Sequence, residues 1–572
     1  MKFQDPPPDL LGALLRLREA LASTALTLEV PAIEQARTAR RELVDQLEDY
    51  VLPRLIQIDA PLLTVVGGST GAGKSTLVNS IVGRRVTQPG VLRPTTRSPV
   101  LVHNPADAEW FEQDRILPDL ARTTAASGDP GALQLVAVDT LPPGLAILDA
   151  PDIDSVEKQN RVLAAQLLAA ADLWLFVTSA ARYADLVPWD FLKAAADRST
   201  AVAIVLDRTQ PESVRDVAGH LARMLSVRRL GDSPLFTVAE SAVDSDGLLP
   251  DEAVTPIRAW LQALAADADA RSAVVRRTLD GALRSLGRRT GHVAGATDEQ
   301  ESVAARLRRD VEDAYGRATE AIEQATQDGT LLRGEVLSRW QEYVGTGELL
   351  KSLEHRVGKV RDRVTAAMSG RPAPTQQLTV AVESGLETLI LEHAEAAAER
   401  AEASWRSLQA GERLCGQGRR DLGRASRGFR VQVERTVREW QRGVLDMVGA
   451  EGAQRRNTAR VLAFGVNGVG VALMIVVFSQ TAGLTGGEVG IAGGTAVVGQ
   501  KVLEALFGDQ AVRSLVERAN TDLQRRVELL MTEEKARFWE VLDPASPPSG
   551  QGAMLRDLAY TVETARIDAG AA

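Results

Sequence analysis

A single cysteine, Cys415, stands in 572 residues. That excludes an internal disulfide framework and a cysteine-ligated zinc site, and a lone free thiol fits a reducing cytoplasm. The five histidines (His103, His220, His292, His355 and His393) are scattered, with no metal-ligand spacing. Aromatic residues make up only 4% of the chain, while Ala, Leu, Glu and Arg dominate, a bias toward long helices. Lysine is scarce, eight of the 66 basic residues, and the formal net charge is −10, so bulk charge gives no support to a nucleic-acid partner. The N-terminal MKFQDPPPDLL has no apolar core of a signal peptide. At 45% apolar and 25% charged, a chain of this length is expected to hold two or more folded domains.

The most informative stretch is 67–76, GGSTGAGKST, which follows the apolar run PLLTVV at 61–66. A strand running into Gly68, four residues, then Gly73, Lys74 and Ser75 has the spacing of a phosphate-binding loop. The glycines let the backbone turn tightly and bring its N–H groups onto phosphate oxygens. Gly68, Ser69, Thr70, Gly71, Ala72, Gly73, Lys74, Ser75 and Thr76 are therefore candidate nucleotide contacts. Lys74 places a cation beside the β- and γ-phosphates, and Ser75 offers a hydroxyl to Mg2+. The helix that begins there turns its positive end to the anion. The loop alone does not choose between ATP and GTP.

Strands are expected at 61–67, 98–103, 144–149, 172–178, 200–206 and 234–238, alternating with helices from 59 to 265. Several are almost wholly apolar, as in a buried parallel sheet. The stretch 1–58 reads as N-terminal helices packing on a neck or stalk, and 266–455 as a long helical neck or stalk. Breaks are expected at 369–375 (SGRPAPT) and between Gly411 and Gly423. Residues 461–479, VLAFGVNGVGVALMIVVFS, carry no charge. As one helix they span about 28 Å, close to the hydrocarbon core of a bilayer. A weaker, glycine-rich stretch at 482–500 contains Glu488, and Gly486-Gly487 offers a hairpin tip. Arg455, Arg456 and Arg460 on one side and Lys501 and Arg513 on the other place both outer ends on the cytoplasmic side. A membrane hairpin over 456–508 is the expectation; a buried glycine-rich hairpin inside a soluble bundle is the alternative. A returning amphipathic helix and tail fill 509–572.

Hydrolysis requires more than a loop. The segment 93–97, RPTTR, lies where a threonine can bind Mg2+ through its hydroxyl and the γ-phosphate through its N–H. Thr95 and Thr96 are both candidates, with Thr96 favoured because Pro94 sets the turn before them. LDAPD at 148–152 follows an apolar strand, and Asp149 at the strand end is placed to reach Mg2+ through water. Catalytic candidates are therefore Lys74, Thr95, Thr96 and Asp149, and metal candidates are Ser75, Thr96 and Asp149.

In that order and spacing, GGSTGAGKS (67–75), RPTTR (93–97) and DAPD (149–152) make the chain similar to the dynamin-like GTPases, and to bacterial dynamin-like proteins in particular. The resemblance implies an α/β P-loop GTPase domain with a mostly parallel sheet, plus a long α-helical bundle or stalk carrying a hydrophobic membrane hairpin. It implies Mg2+-dependent GTP hydrolysis, dimerising heads, self-association or pairing with a paralogous dynamin-like partner, and a lipid bilayer remodelled from the cytoplasmic side of the cell membrane. Members act in membrane fusion, membrane protection and cell division.

Three departures from the family pattern stand out. Asp152 occupies the glycine position of DxPG, adding a carboxylate that repels phosphate. The guanine-reading [NT]KxD is absent; 206–210 reads LDRTQ, where Gln210 offers only a neutral amide oxygen, leaving Asp207 and Arg208 as candidate base contacts. Thr70-Gly71 replaces a polar pair used in catalysis, so intrinsic hydrolysis is expected to be slow. A slow-hydrolysing membrane switch or scaffold that recruits division or envelope proteins is the second reading. A transporter ATPase fits less well, since no ABC-type signature follows the loop.

Overall fold

The computed structural model describes residues 8–88, 98–112, 116–117, 120–125, 129, 131–155, 158–197, 200–228, 230–332, 374–417, 421–454, 466–479 and 492–571. The chain divides into two compact units, 1–26, 32–299 and 548–572 forming one, and 27–31 and 300–547 the other.

The first unit is built on an eight-stranded sheet in the order β3-β4-β2-β5-β1-β6-β7-β8. The strands are β1 (Leu62–Gly68), β2 (Val100–His103), β3 (Ala121–Thr123), β4 (Ala132–Ala137), β5 (Leu145–Asp149), β6 (Leu173–Ser179), β7 (Ala201–Thr209) and β8 (Leu235–Ala239). Every neighbouring pair is parallel except β2 with β5. The mostly parallel sheet read from the apolar runs is present. The two strands that the sequence did not signal are β3 and β4. β3 is three residues long with none of them buried, and the apolar residues of β4 are interrupted by Gln134 and buried only in part, so neither gives a continuous buried run.

Helices accompany the strands, and several of them pack on one face of the sheet or the other. They are α1 (Pro8–Ser23), α2 (Ile33–Gln46), α3 (Leu52–Ile56), α4 (Lys74–Val82), α5 (Ala108–Phe111), α6 (Lys158–Ala169), α7 (Leu186–Asp197), α8 (Val214–Val227) and α9 (Asp251–Ala266). Strand alternation sorts the core into two layers. Leu63, Val65, Trp174 and Phe176 pack with Leu167, Trp189 and Leu221 on one face. Leu62, Val66, Leu175 and Val177 pack with Leu77, Ile81, Ile257 and Leu261 on the other.

The N-terminal helices reach the sheet through a buried charge. Arg54 on α3 donates to the carbonyls of Ala60 (3.2 Å) and Pro61 (2.7 Å) and pairs with Asp172, just before β6. The same Asp172 oxygen accepts the Leu63 N–H at 2.7 Å, so one carboxylate ties α3, β1 and the start of β6. Burial raises the Asp172 carboxyl above the usual carboxylate range, and Arg54 opposes the rise.

The second unit is helical. It takes the part of α10 (Ala268–Gln327) from residue 300 onward, together with α11 (Pro374–Arg406), α12 (Gln409–Gln417), α13 (Phe429–Gln454), α14 (Val466–Val477), α15 (Ala492–Phe507) and α16 (Asp509–Leu542). A last helix, α17 (Gln551–Ala571), belongs to the first unit, where it packs on α1. Buried tryptophans organise the helical core. Trp405 stands edge-on to Phe538, with ring centroids 5.2 Å apart, and gives its indole N–H to the Leu307 carbonyl at 2.9 Å. Trp440 does the same to Ala519, also at 2.9 Å. The expected break between Gly411 and Gly423 is shorter than read, because α12 is helical through Gln417. Gly411 is needed at that corner, since a Cβ there would lie 2.2 Å from the Trp405 carbonyl oxygen.

The membrane-hairpin expectation falls partly on 455–465 and 480–491, which lie outside the described residues, as does 369–373 of the SGRPAPT break. The described parts are α14, twelve residues long, with 469 and 471–478 buried in the helical core, and α15, sixteen residues long, with Leu503, Leu506 and Phe507 in the same core. Among the described residues no helix is long and apolar enough to cross a membrane.

Arg54→Ala leaves Asp172 buried without its cation, so it should cost about 3–5 kcal/mol of local stability. Hydrogen exchange at the Leu63 amide reads this directly; unchanged protection there would show that the pair does not hold the strand.

Candidate nucleotide-binding site

The site forms along the C-terminal edge of the parallel strands, where open α/β sheets leave a crevice. β1 ends at Gly68, with φ 153°, where a Cβ would sit 2.0 Å from the Val177 carbonyl oxygen on β6. Only glycine allows that approach. The loop then turns through Gly71 and Gly73, both at positive φ, and α4 begins at Lys74. A Cβ on Gly73 would lie 2.2 Å from a carboxylate oxygen of Asp207, so the end of β7 is set directly against the loop.

Lys74 is buried and points back into the loop. Its ammonium donates to the carbonyls of Gly68 and Ser69, each at 3.1 Å, and pairs with Asp152. Ser75 donates its hydroxyl to Asp149 Oδ2 at 2.7 Å, and Thr87 donates to the same oxygen at 2.9 Å. Thr70 gives both its backbone N–H and its hydroxyl to Asp154 Oδ1, each at 2.6 Å. Arg182 reaches the other Asp154 oxygen at 3.1 Å. Ser69 and Ala72 are buried in the loop, Gly71 is exposed, and Thr76 is half-buried one position into the helix beyond Ser75.

The structure thus brings Lys74, Ser75 and Asp149 together. Thr95 and Thr96, with all of 89–97, lie outside the described residues. Sequence reasoning missed Thr87, Asn79, Asp154 and Arg182. Asn79 fixes Thr87: its carbonyl oxygen accepts the N–H groups of Val86 (2.8 Å) and Thr87 (2.9 Å), and its amide donates to the Thr87 carbonyl at 2.9 Å. Asp154, two residues past Asp152, was the most accessible of these signals.

Asp149 has the chemistry of a metal-site residue. It is fully buried, and burial pushes its carboxyl up against the opposing pull of the Ser75 hydroxyl, the Lys74 charge and the Thr87 hydroxyl. Its Oδ1 has no hydrogen-bond partner among the described residues, a costly condition for a buried oxygen. A hard cation held by oxygen donors suits Ser75, Thr87 and this orphaned oxygen. No cluster of three or more His, Cys, Asp or Glu among the described residues could hold a metal by itself, so phosphate oxygens would have to complete the coordination.

No family model matches the chain. An alignment of 159 positions that covers 26% of the chain is 26% identical to a probable transmembrane GTPase, FZO-like and chloroplastic, of Arabidopsis thaliana. The match spans 16% of that relative's length. Two solved chains of an oligomerised bacterial dynamin pair, described as sensing and tethering membranes over long range, align over the full chain and 96% of their own length. Their sequence identity is 11%, with TM-scores of 0.40 and 0.39.

The end of β7 is unlike the loop that follows β1. β7 carries a bulge between Leu206 and Thr209, and Arg208 adopts φ 49°. That bulge buries Asp207 and turns Arg208 and Gln210 to solvent. Burial raises the Asp207 carboxyl to about 6; the Arg208 N–H and charge oppose this and Glu240 adds to it. Between about pH 4 and 6 the folded chain therefore holds a proton that the unfolded chain has lost, and stability falls as pH rises through that window. The displacement from 3.8 to about 6 corresponds to roughly 3 kcal/mol. Asp207→Asn should raise unfolding free energy at pH 7.5 by about 1–3 kcal/mol and flatten its pH dependence between 4 and 6. Denaturant titrations across that range check it; a variant less stable at pH 7.5 would contradict the assignment.

Proposed function

We propose that the chain is a membrane-associated dynamin-like GTPase that binds GTP with Mg2+ and hydrolyses it. The observation that carries the reading is the convergence of Lys74, Ser75 and Asp149 on a glycine-turned loop at the C-terminal edge of the sheet. In this reading the loop N–H groups and the start of α4 face the phosphates, and Lys74 neutralises the β- and γ-phosphates. Ser75 and Asp149, with Thr87 beside them, hold Mg2+, which supplies charge neutralisation at the phosphate oxygens. Thr95 or Thr96 acts as the γ-phosphate sensor. Asp207 and Arg208 line the base, and Gln210, with a neutral amide in place of a carboxylate, loosens discrimination between GTP and ATP.

The head is assigned to 59–265, with helices at 1–58, a neck or stalk at 266–455, a membrane-engaging segment at 456–508 and a returning helix and tail at 509–572. Heads pair on nucleotide binding, with a second copy or a paralogous partner, and the helical part transmits this to lipid on the cytoplasmic face of the cell membrane. Membrane tethering, as described for the bacterial dynamin pair, and a part in cell division both fit this scheme. Lipid engagement by 456–508 requires α14 to exchange its packing against α13, α15 and α16 for acyl chains. A slow switch that recruits division or envelope proteins is favoured as second reading by one observation, the engagement of Lys74 by Asp152.

Lys74→Ala should weaken Mg2+–GTP binding by at least about 2 kcal/mol, roughly thirtyfold. Isothermal calorimetry with GTP and ATP in parallel measures both the loss and the base preference; wild-type affinity in this variant would refute the site. The intact chain should float with liposomes. Deletion of 461–500 would remove core residues of the helical unit, so flotation of the full chain is the cleaner measurement, and absence from the lipid fraction at every lipid composition tested would refute the membrane reading.

A further inference from the structure

A lysine ammonium has three N–H donors. In this structure all three of Lys74 are taken, by the Gly68 carbonyl, the Ser69 carbonyl and the Asp152 carboxylate. The pair is buried, with side-chain exposures of 5% and 8%. A phosphate oxygen therefore finds no free donor on the residue that should greet it. The two carbonyls belong to the loop backbone, and Asp152 reaches Lys74 only through its side chain, so Asp152 is the partner able to leave by side-chain rotation.

The neighbouring contacts repeat the pattern. Three carboxylates of the segment 149–154 each hold a polar group of the loop: Asp149 holds Ser75, Asp152 holds Lys74, and Asp154 holds the N–H and hydroxyl of Thr70. Each contact places an anionic oxygen on a group that a magnesium nucleotide would use. Asp152 differs from the other two because the group it occupies is the cation.

We propose that Asp152 is a built-in competitor of the nucleotide: its carboxylate occupies the Lys74 N–H that phosphate needs, and nucleotide affinity is set by the exchange of one anion for the other. This rests on the nucleotide-binding reading above. Binding then turns Asp152 away from Lys74, and the cost of leaving that carboxylate without its cation is subtracted from the phosphate contacts. The chain holds its nucleotide loosely without any defect in the loop itself.

The test uses the full chain carrying Asp152→Asn, which keeps the shape and removes the charge, and Asp152→Gly, which removes the side chain. Each is titrated calorimetrically with GTP, GDP, ATP and ADP in Mg2+, alongside wild type. Affinity for the preferred base should tighten about tenfold or more, with di- and triphosphate gaining alike because Lys74 serves the β-phosphate of both. The thermal midpoint of the nucleotide-free variants should fall, since buried Lys74 loses its partner, while the nucleotide-saturated midpoint holds. A purely structural role would lower both midpoints and weaken binding.

Wild-type binding with no gain in either variant overturns the competitor and leaves the nucleotide reading standing. A gain confined to triphosphates also overturns it, because that pattern belongs to distant repulsion of the γ-phosphate. No binding by wild type or variants overturns the nucleotide reading, and this inference with it. If the glycine variant fails to fold, the asparagine variant decides alone.

Discussion

The approach of β1 to β6 at Gly68 sets the position of everything else in the site. The Val177 carbonyl lies where a side chain would begin, so the strand pair closes only because residue 68 has none. That closure aims the loop across the sheet edge. Gly73 then meets Asp207 at similarly short range, which fixes the loop from its far side. Between those two glycine contacts the chain has little freedom, and Lys74 is left pointing inward among carbonyls.

An inward lysine in a buried place needs an anion. Segment 149–154 supplies one, and it does so with three acidic residues inside six positions. Isolated, buried carboxylates would be costly. Here each is offset by a donor from the loop, from Ser75, Lys74 and Thr70. The same complementarity that stabilises the head occupies the groups a nucleotide would take, so stability of the empty site and affinity for ligand oppose one another. Asp149 keeps one oxygen without a partner among the described residues, while its other oxygen accepts from two hydroxyls.

In the helical unit the driving force is ordinary apolar burial. Trp405, Trp440 and Phe538 join helices far apart in sequence. The uncharged stretch that reads as lipid-facing contributes Val471 through Phe478 to that core. Both solvents, a packed protein interior and a bilayer, reward the same residues, so hydropathy alone cannot separate them.

The order of strands and helices, the phosphate loop and the acid at the end of β5 were legible in the amino-acid sequence, because glycine spacing and continuous apolar runs are local signals. The edge strand β3 and its neighbour β4 were not legible, since β3 has three residues and Gln134 interrupts the apolar residues of β4. Neither were Thr87, Asp154 and Arg182, whose parts depend on contacts across tens of residues, nor Asn79, which acts by holding Thr87. Sequence determined that a cation and a hydroxyl would meet a carboxylate at the sheet edge. Tertiary structure alone decided which carboxylate met which group: Asp152, legible only as a misplaced acid, became the partner of Lys74 because folding brings two loops 78 positions apart into one buried space.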